Sequence, residues 1–157
     1  MPITPLHFGV LAPVNHFFPG KVHNGSFMLV NLLIDVKSIL FGLTGYGAIS
    51  HDNHSFIAIL FPMFMVGLLG LRSHRWWWGA FWGAVSHIAL DMLVHADMSP
   101  FEPFLDGNPF YLGLMEPLSV VLLALCAWLT LQYVSGIQGL IARPLAAARS
   151  LTARLFP

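Results

Sequence analysis

His87, Asp91 and His95 follow one another at intervals of four in an apolar stretch, residues 83–95. In an α-helix a step of four turns the side chain by about 40°, so the three share one stripe. Imidazole nitrogens and carboxylate oxygens are the donors that suit Zn²⁺, Mn²⁺ or another borderline divalent ion. An ion so held acidifies water, which then attacks a phosphoester or an acyl carbon, with an acidic residue near the mouth as general base. The helical rise separates His87 from His95 by about 12 Å. One ion therefore takes His87 with Asp91, or Asp91 with His95, but not all three. The competing reading is a buried hydrogen-bonded pair that locks two helices together.

The surroundings of this stripe are what a bilayer selects. Hydrophobic residues make up 57% of the 157 and charged residues only 9%, with a mean hydropathy of +0.74. Soluble domains carry about 25% charged residues. The expectation is an all-α polytopic membrane bundle of about four spans, with a short N-terminal helix and a C-terminal amphipathic helix. The formal net charge of zero makes no electrostatic case for nucleic acid. The single Cys126 lies in an apolar run, which excludes a disulfide framework and a cysteine metal motif. Residues 1–20 lack the basic start and clean apolar run of a cleaved signal peptide.

Taken in order, residues 6–18 predict a short helix interrupted at Pro13, too short to span and carrying His7 and His16. Residues 26–46 are long enough to cross. Asn24, Asn31, Asp35, Ser38, Gly42 and Gly45 line one polar or small stripe there, with Lys37 pointing away from Asp35. After a glycine-rich turn, Asp52 or Asn53 caps an apolar span over residues 54–71 with a kink at Pro62. A basic turn (Arg72, His74, Arg75) and the aromatic anchors Trp76, Trp77 and Trp78 precede the central helix, residues 76–94. Gly79 and Gly83 lie on the His87 stripe and let a neighbouring helix approach. Residues 96–113 read as a Pro/Phe loop with Asp97, Glu102 and Asp106, and residues 114–134 as the cleanest span. The domain division is residues 1–135 for the bundle and 136–157 for a tail whose Arg143, Arg149 and Arg154 suit an anionic membrane surface.

Folding residues 54–94 as an antiparallel hairpin about Ser73 sets residue 54 opposite residue 92. His54 then lies at the depth of Asp91, and His51 near that of His95. Similar counting places Asp35 two turns below the surface, nearer His87 than His54. The site so assembled contains Asp35, His54, His87 and Asp91, with His51 and His95 in an outer, interfacial layer. His16, His23 and His74 read as solvent or headgroup contacts, and Glu102 and Glu116 as candidates for the mouth.

Thr4-Pro5-Leu6-His7, Asp35, His54-Ser55, Ser86-His87-x-x-Leu90-Asp91 and the Pro-Phe-x-Pro-Phe run at residues 100–104 resemble the LexA-binding, inner-membrane-associated metal-dependent hydrolase family. The resemblance covers residues 2–113, and its His-x-x-x-Asp is distantly similar to that of zinc phospholipase C and nuclease proteins. It implies that His7 joins Asp35, His54, His87 and Asp91 as a metal ligand, with His87 and Asp91 catalytic. Two departures stand out. The family's Pro-Asp-x-Asp is Ile34-Asp35-Val36-Lys37 here, without the second acid, and its His-Arg-Gly-x-Thr-His-Ser is His51-Asp52-Asn53-His54-Ser55, without the arginine.

The leading expectation is a membrane-embedded hydrolase dependent on a divalent metal, Zn or Mn, and acting on a lipid or phosphoester. The alternative is a non-catalytic accessory subunit that retains the scaffold within a larger membrane complex. A weaker third is haem ligation by His54 with His87 or His95. The partners expected are membrane lipids and other membrane subunits. The location expected is a bacterial inner membrane with Arg72, Arg75 and the C-terminus cytoplasmic.

Overall fold

A computed structural model describes residues 4–46 and 54–155, with side chains as far as residue 136. The helices are α1 (Thr4–His7), α2 (Leu11–Phe17), α3 (Asn24–Ile34), α4 (Val36–Thr44), α5 (Leu60–Leu69), α6 (His74–Val94) and α7 (Met115–Leu155), with a 3₁₀ turn (Phe8–Val10) joining α1 to α2. Among the described residues there is no strand. The all-α expectation holds.

α6 is the axis. Ser73 caps it, its hydroxyl accepting from the Trp76 amide, and α3 packs against it in the parallel sense, with Ser26 beside Trp76, Asn31 beside Gly83 and Asp35 beside His87. The two glycines make that approach possible. A Cβ on Gly79 would strike Ser26 Oγ and the His23 carbonyl, and one on Gly83 would lie 2.5 Å from Val30 Cγ1 and 2.7 Å from the Phe27 carbonyl. Ser26 Oγ lies 2.8 Å from the Trp76 carbonyl. His23 contradicts its expected role as a solvent or headgroup contact. Its Nδ1 caps α3 by accepting from the Ser26 amide at 3.2 Å, and its ring packs on Trp76 at 4.4 Å.

Three local expectations fail for identifiable reasons. The N-terminal helix breaks at residues 8–10, not at Pro13. Gly9 is pressed against α7, where a Cβ would sit 2.8 Å from the Leu122 carbonyl and 2.9 Å from Leu125 Cβ. The helix over residues 26–46 is interrupted at Asp35, whose φ of −88° and ψ of 7° end α3 and start α4. The span over residues 54–71 is helical only as α5, so Pro62 falls in the first turn, where a missing amide hydrogen leaves no bond unmade. Ser55 supports the turn before α5, accepting from the Ala58 amide at 3.1 Å. The expected caps Asp52 and Asn53, and His51, lie outside the described residues.

Of the described helices, one segment is both long and apolar enough to cross a membrane: residues 115–136 of α7, with a mean hydropathy of 1.9. Leu122, Leu125, Cys126 and Leu129 form the narrow face that meets α1, α2 and the turn between them. Trp128 and Gln132 extend this face along α2, Gln132 Nε2 donating to the Ala12 carbonyl at 3.0 Å, while the opposite face is exposed, Val120 and Leu131 at 67%. α3 and α5 are shorter apolar helices. α6 has the length but carries Ser86, His87 and Asp91 inward.

The loop after α6 closes the end that bears Asp91. Asn108 Nδ2 donates to the carbonyls of Met92 and His95 at 2.6 and 2.7 Å, satisfying groups the helix end leaves open. Met98 and Pro100 are buried beneath it. The Phe56 amide donates to the Pro100 carbonyl at 2.9 Å, which ties the chain just after His54 to this loop.

Candidate metal centre

Four side chains from three regions converge: Asp35 from the α3–α4 break, His54 from the chain before α5, and His87 and Asp91 from α6. Each offers one donor atom, all within 4.8 Å of one another, and all four residues are buried. His54 Nε2 lies 3.0 Å from Asp35 Oδ1 and 3.7 Å from Asp91 Oδ2. His87 Nε2 lies 3.3 Å from Asp35 Oδ1 and 3.2 Å from Asp91 Oδ2. Asp35 is thus as close to His54 as to His87, a small correction to its expected depth. The reason is the helix break, which turns its carboxylate between the two rings.

The four His–Asp separations are close to those around a tetrahedral ion, and the other two donor pairs, Asp35–Asp91 and His54–His87, lie within 4.8 Å. Donors about 2.0–2.1 Å from such an ion stand about 3.3 Å apart, and these four separations scatter around that value. Chemistry agrees with geometry. Asn31 Nδ2 donates to the Phe27 carbonyl at 2.8 Å and lies 3.3 Å from the Gly83 carbonyl. That assigns the amide oxygen to the side facing His87, whose Nδ1 lies 2.8 Å away and donates to it. In neutral His87 the proton is therefore on Nδ1, and the Nε2 lone pair points between two carboxylates. Nε2 is buried with no hydrogen-bond partner. Two buried carboxylates in an apolar bundle need compensating positive charge, from a cation or from protonated imidazoles. The residues fit a divalent ion.

His7 lies beside these four. Its Nε2 donates to Asp91 Oδ1 at 3.2 Å, and its ring stacks on His87 at 4.4 Å with planes 17° apart. Asp91 consequently presents Oδ1 to His7 and Oδ2 to His87 and His54. α1 is held there through Gly9 and through Cys126, whose thiol lies 3.5 Å from the Leu6 carbonyl. The chain matches no protein-family model, no curated protein and no solved structure. The arrangement must be read on its own chemistry.

The remaining candidates fall outside. His95 Nε2 is 3.9 Å from Asp91 Oδ1, in the outer layer that axial distance assigned it. Glu102 and Glu116 are exposed, and so are His16 and His74. A haem between His54 and His87 does not fit: their ring centroids are 5.5 Å apart and both Nε2 atoms converge on the same carboxylates instead of facing across a plane. Sequence reasoning missed the part played by Asn31. The signal was present, since Asn31 sits on the Asp35 stripe, but its partner on α6 depends on helix register.

Proposed function

We propose that this protein is a membrane-embedded, metal-dependent hydrolase of a lipid or phosphoester. One observation carries the reading: four buried nitrogen and oxygen donors stand at ligand spacing, with His87 held by Asn31 through Nδ1 so that Nε2 faces the two carboxylates. Asp35, His54, His87 and Asp91 would hold the ion, with Zn or Mn the identities that fit the donors. Such an ion supplies Lewis acidity toward water and toward a phosphoryl or acyl oxygen. His7 orients Asp91 by donating to its Oδ1, which leaves Oδ2 directed at the ion. The family resemblance supports the same four ligands and adds His7, which here lies beside them on Asp91.

The apolar outer surface supports membrane burial beyond α7. Phe61, Leu69 and Leu71 are at least 70% exposed, and Leu40, Leu43, Phe64 and Trp82 point outward with them. On this reading α3 with α4, and residues 54–69, act as two broken crossing elements beside α6 and α7. Irregular backbone then occurs where it is buried against the polar site. Arg72, Arg75 and the C-terminal tail lie on the cytoplasmic side of a bacterial inner membrane.

Elemental analysis beside phosphoesterase and esterase assays tests the proposal. About one divalent ion per chain, with turnover lost in Asp91→Ala and His87→Ala, is the expected result. A metal-free protein with full turnover overturns it. Bound metal without turnover supports the second reading, an accessory subunit. That reading is favoured by Lys37, which stands exposed where the family carries its second acid.

A further inference from the structure

Beside the α3–α4 break lies a half-open groove of about 520 Å³. Its walls are Leu33, Ile34, Val36, Ala58, Phe61, Pro62 and Met65, and Lys37 is its one charged lining residue. Among the described residues no hydrogen bond or ion pair engages the Lys37 ammonium, which is exposed. None of the four candidate ligands lines this groove. Its volume is that of a small-ligand pocket.

The groove has a polar end and an apolar end. Lys37 follows Asp35, at the Asp91 level of the bundle, where Ala58 also lies just beyond His54. Met65 adjoins Val66, whose carbonyl accepts from Trp76 Nε1 near the start of α6, toward the other end. A cation at one end of a strip of Phe, Pro, Met and Leu complements an anionic headgroup on an apolar chain. We propose that this groove binds one anionic phospholipid, its phosphate paired with Lys37 and an acyl chain laid along α5. The site rests on the bundle being in a bilayer and is independent of whether a metal is bound.

Full-length protein in nanodiscs of equimolar phosphatidylglycerol and phosphatidylcholine, with chelator present, provides the test by native mass spectrometry. One retained phosphatidylglycerol is expected. The phosphatidylglycerol-to-phosphatidylcholine ratio should fall about fivefold in Lys37→Gln, the effect of one basic residue near an anionic headgroup, and stay unchanged in Lys21→Gln. Ala58→Leu, which narrows the groove while keeping the charge, should reduce retention of both lipids. Equal retention of the two lipids, no change in Lys37→Gln, or a lipid-free dimer seated on this face would each overturn the assignment. Protein that fails to enter nanodiscs refutes the membrane reading instead.

Discussion

His87 and Asn31 meet across the α3–α6 contact, Nδ1 to Oδ1 at 2.8 Å. The amide nitrogen of Asn31 is directed at the Phe27 and Gly83 carbonyls, so the amide has one usable orientation. A hydrogen bond that fixes the far nitrogen of an imidazole also fixes which lone pair a metal receives. This pair therefore links the packing of two helices to the chemistry of the site.

Replacing Asn31 by Leu should weaken metal binding by about 10- to 100-fold, the usual cost of losing an outer-shell partner. A competition titration against a chromogenic chelator measures it. Asn31→Asp, which keeps an acceptor toward His87, should recover part of the loss. Equal affinity in all three proteins would mean that Asn31 only packs.

His54 and His95 should separate cleanly. His54 Nε2 is 3.0 Å from Asp35, whereas His95 reaches Asp91 only at 3.9 Å and stands outside the group of four. His54→Ala should lower the metal content of purified protein by at least about tenfold, and His95→Ala should leave it near wild type. Elemental analysis of both variants decides the matter.

Metal removal should lower thermal stability. An ion that binds only the folded chain adds about 2.7 kcal/mol when its free concentration is a hundredfold above Kd. For a chain of this size that is a shift in Tm of roughly 5–10 °C. The shift on adding chelator should reverse with Zn²⁺ or Mn²⁺ and be absent in Asp91→Ala.

Gly83→Ala should damage the fold and the site together. The new Cβ would meet Val30 Cγ1 at 2.5 Å and Asn31 Nδ2 at 3.1 Å, so α3 must move. Overpacking of this kind costs about 1–3 kcal/mol, and the displaced Asn31 should lower metal affinity as well. Gly136→Ala, with open space around it, should change neither. Melting curves and chelator titrations on the two variants provide the comparison.

Much of this arrangement is readable from local pattern. The period of α6 put His87 and Asp91 on one stripe with Gly79 and Gly83, because helical geometry is set by the backbone and needs no tertiary information. Axial rise alone moved His95 to an outer layer, and counting back from Ser73 placed His54 opposite Asp91. The apolar run of residues 114–134 marked the cleanest of about four expected spans, and among the described residues it is the one long and apolar enough to cross a membrane. Other features depend on contacts between distant residues. The break at Asp35 carries no proline or glycine to mark it, and it turns that carboxylate between His54 and His87. Gly9 interrupts the first helix because α7 lies against it, not because of any local signal. Asn31 becomes a partner of His87, and His23 a cap stacked on Trp76, only once α3 and α6 take one register. Periodicity determines which face a side chain occupies; the identity of what it meets there is set by how closely two helices approach, which here depends on two missing side chains at Gly79 and Gly83.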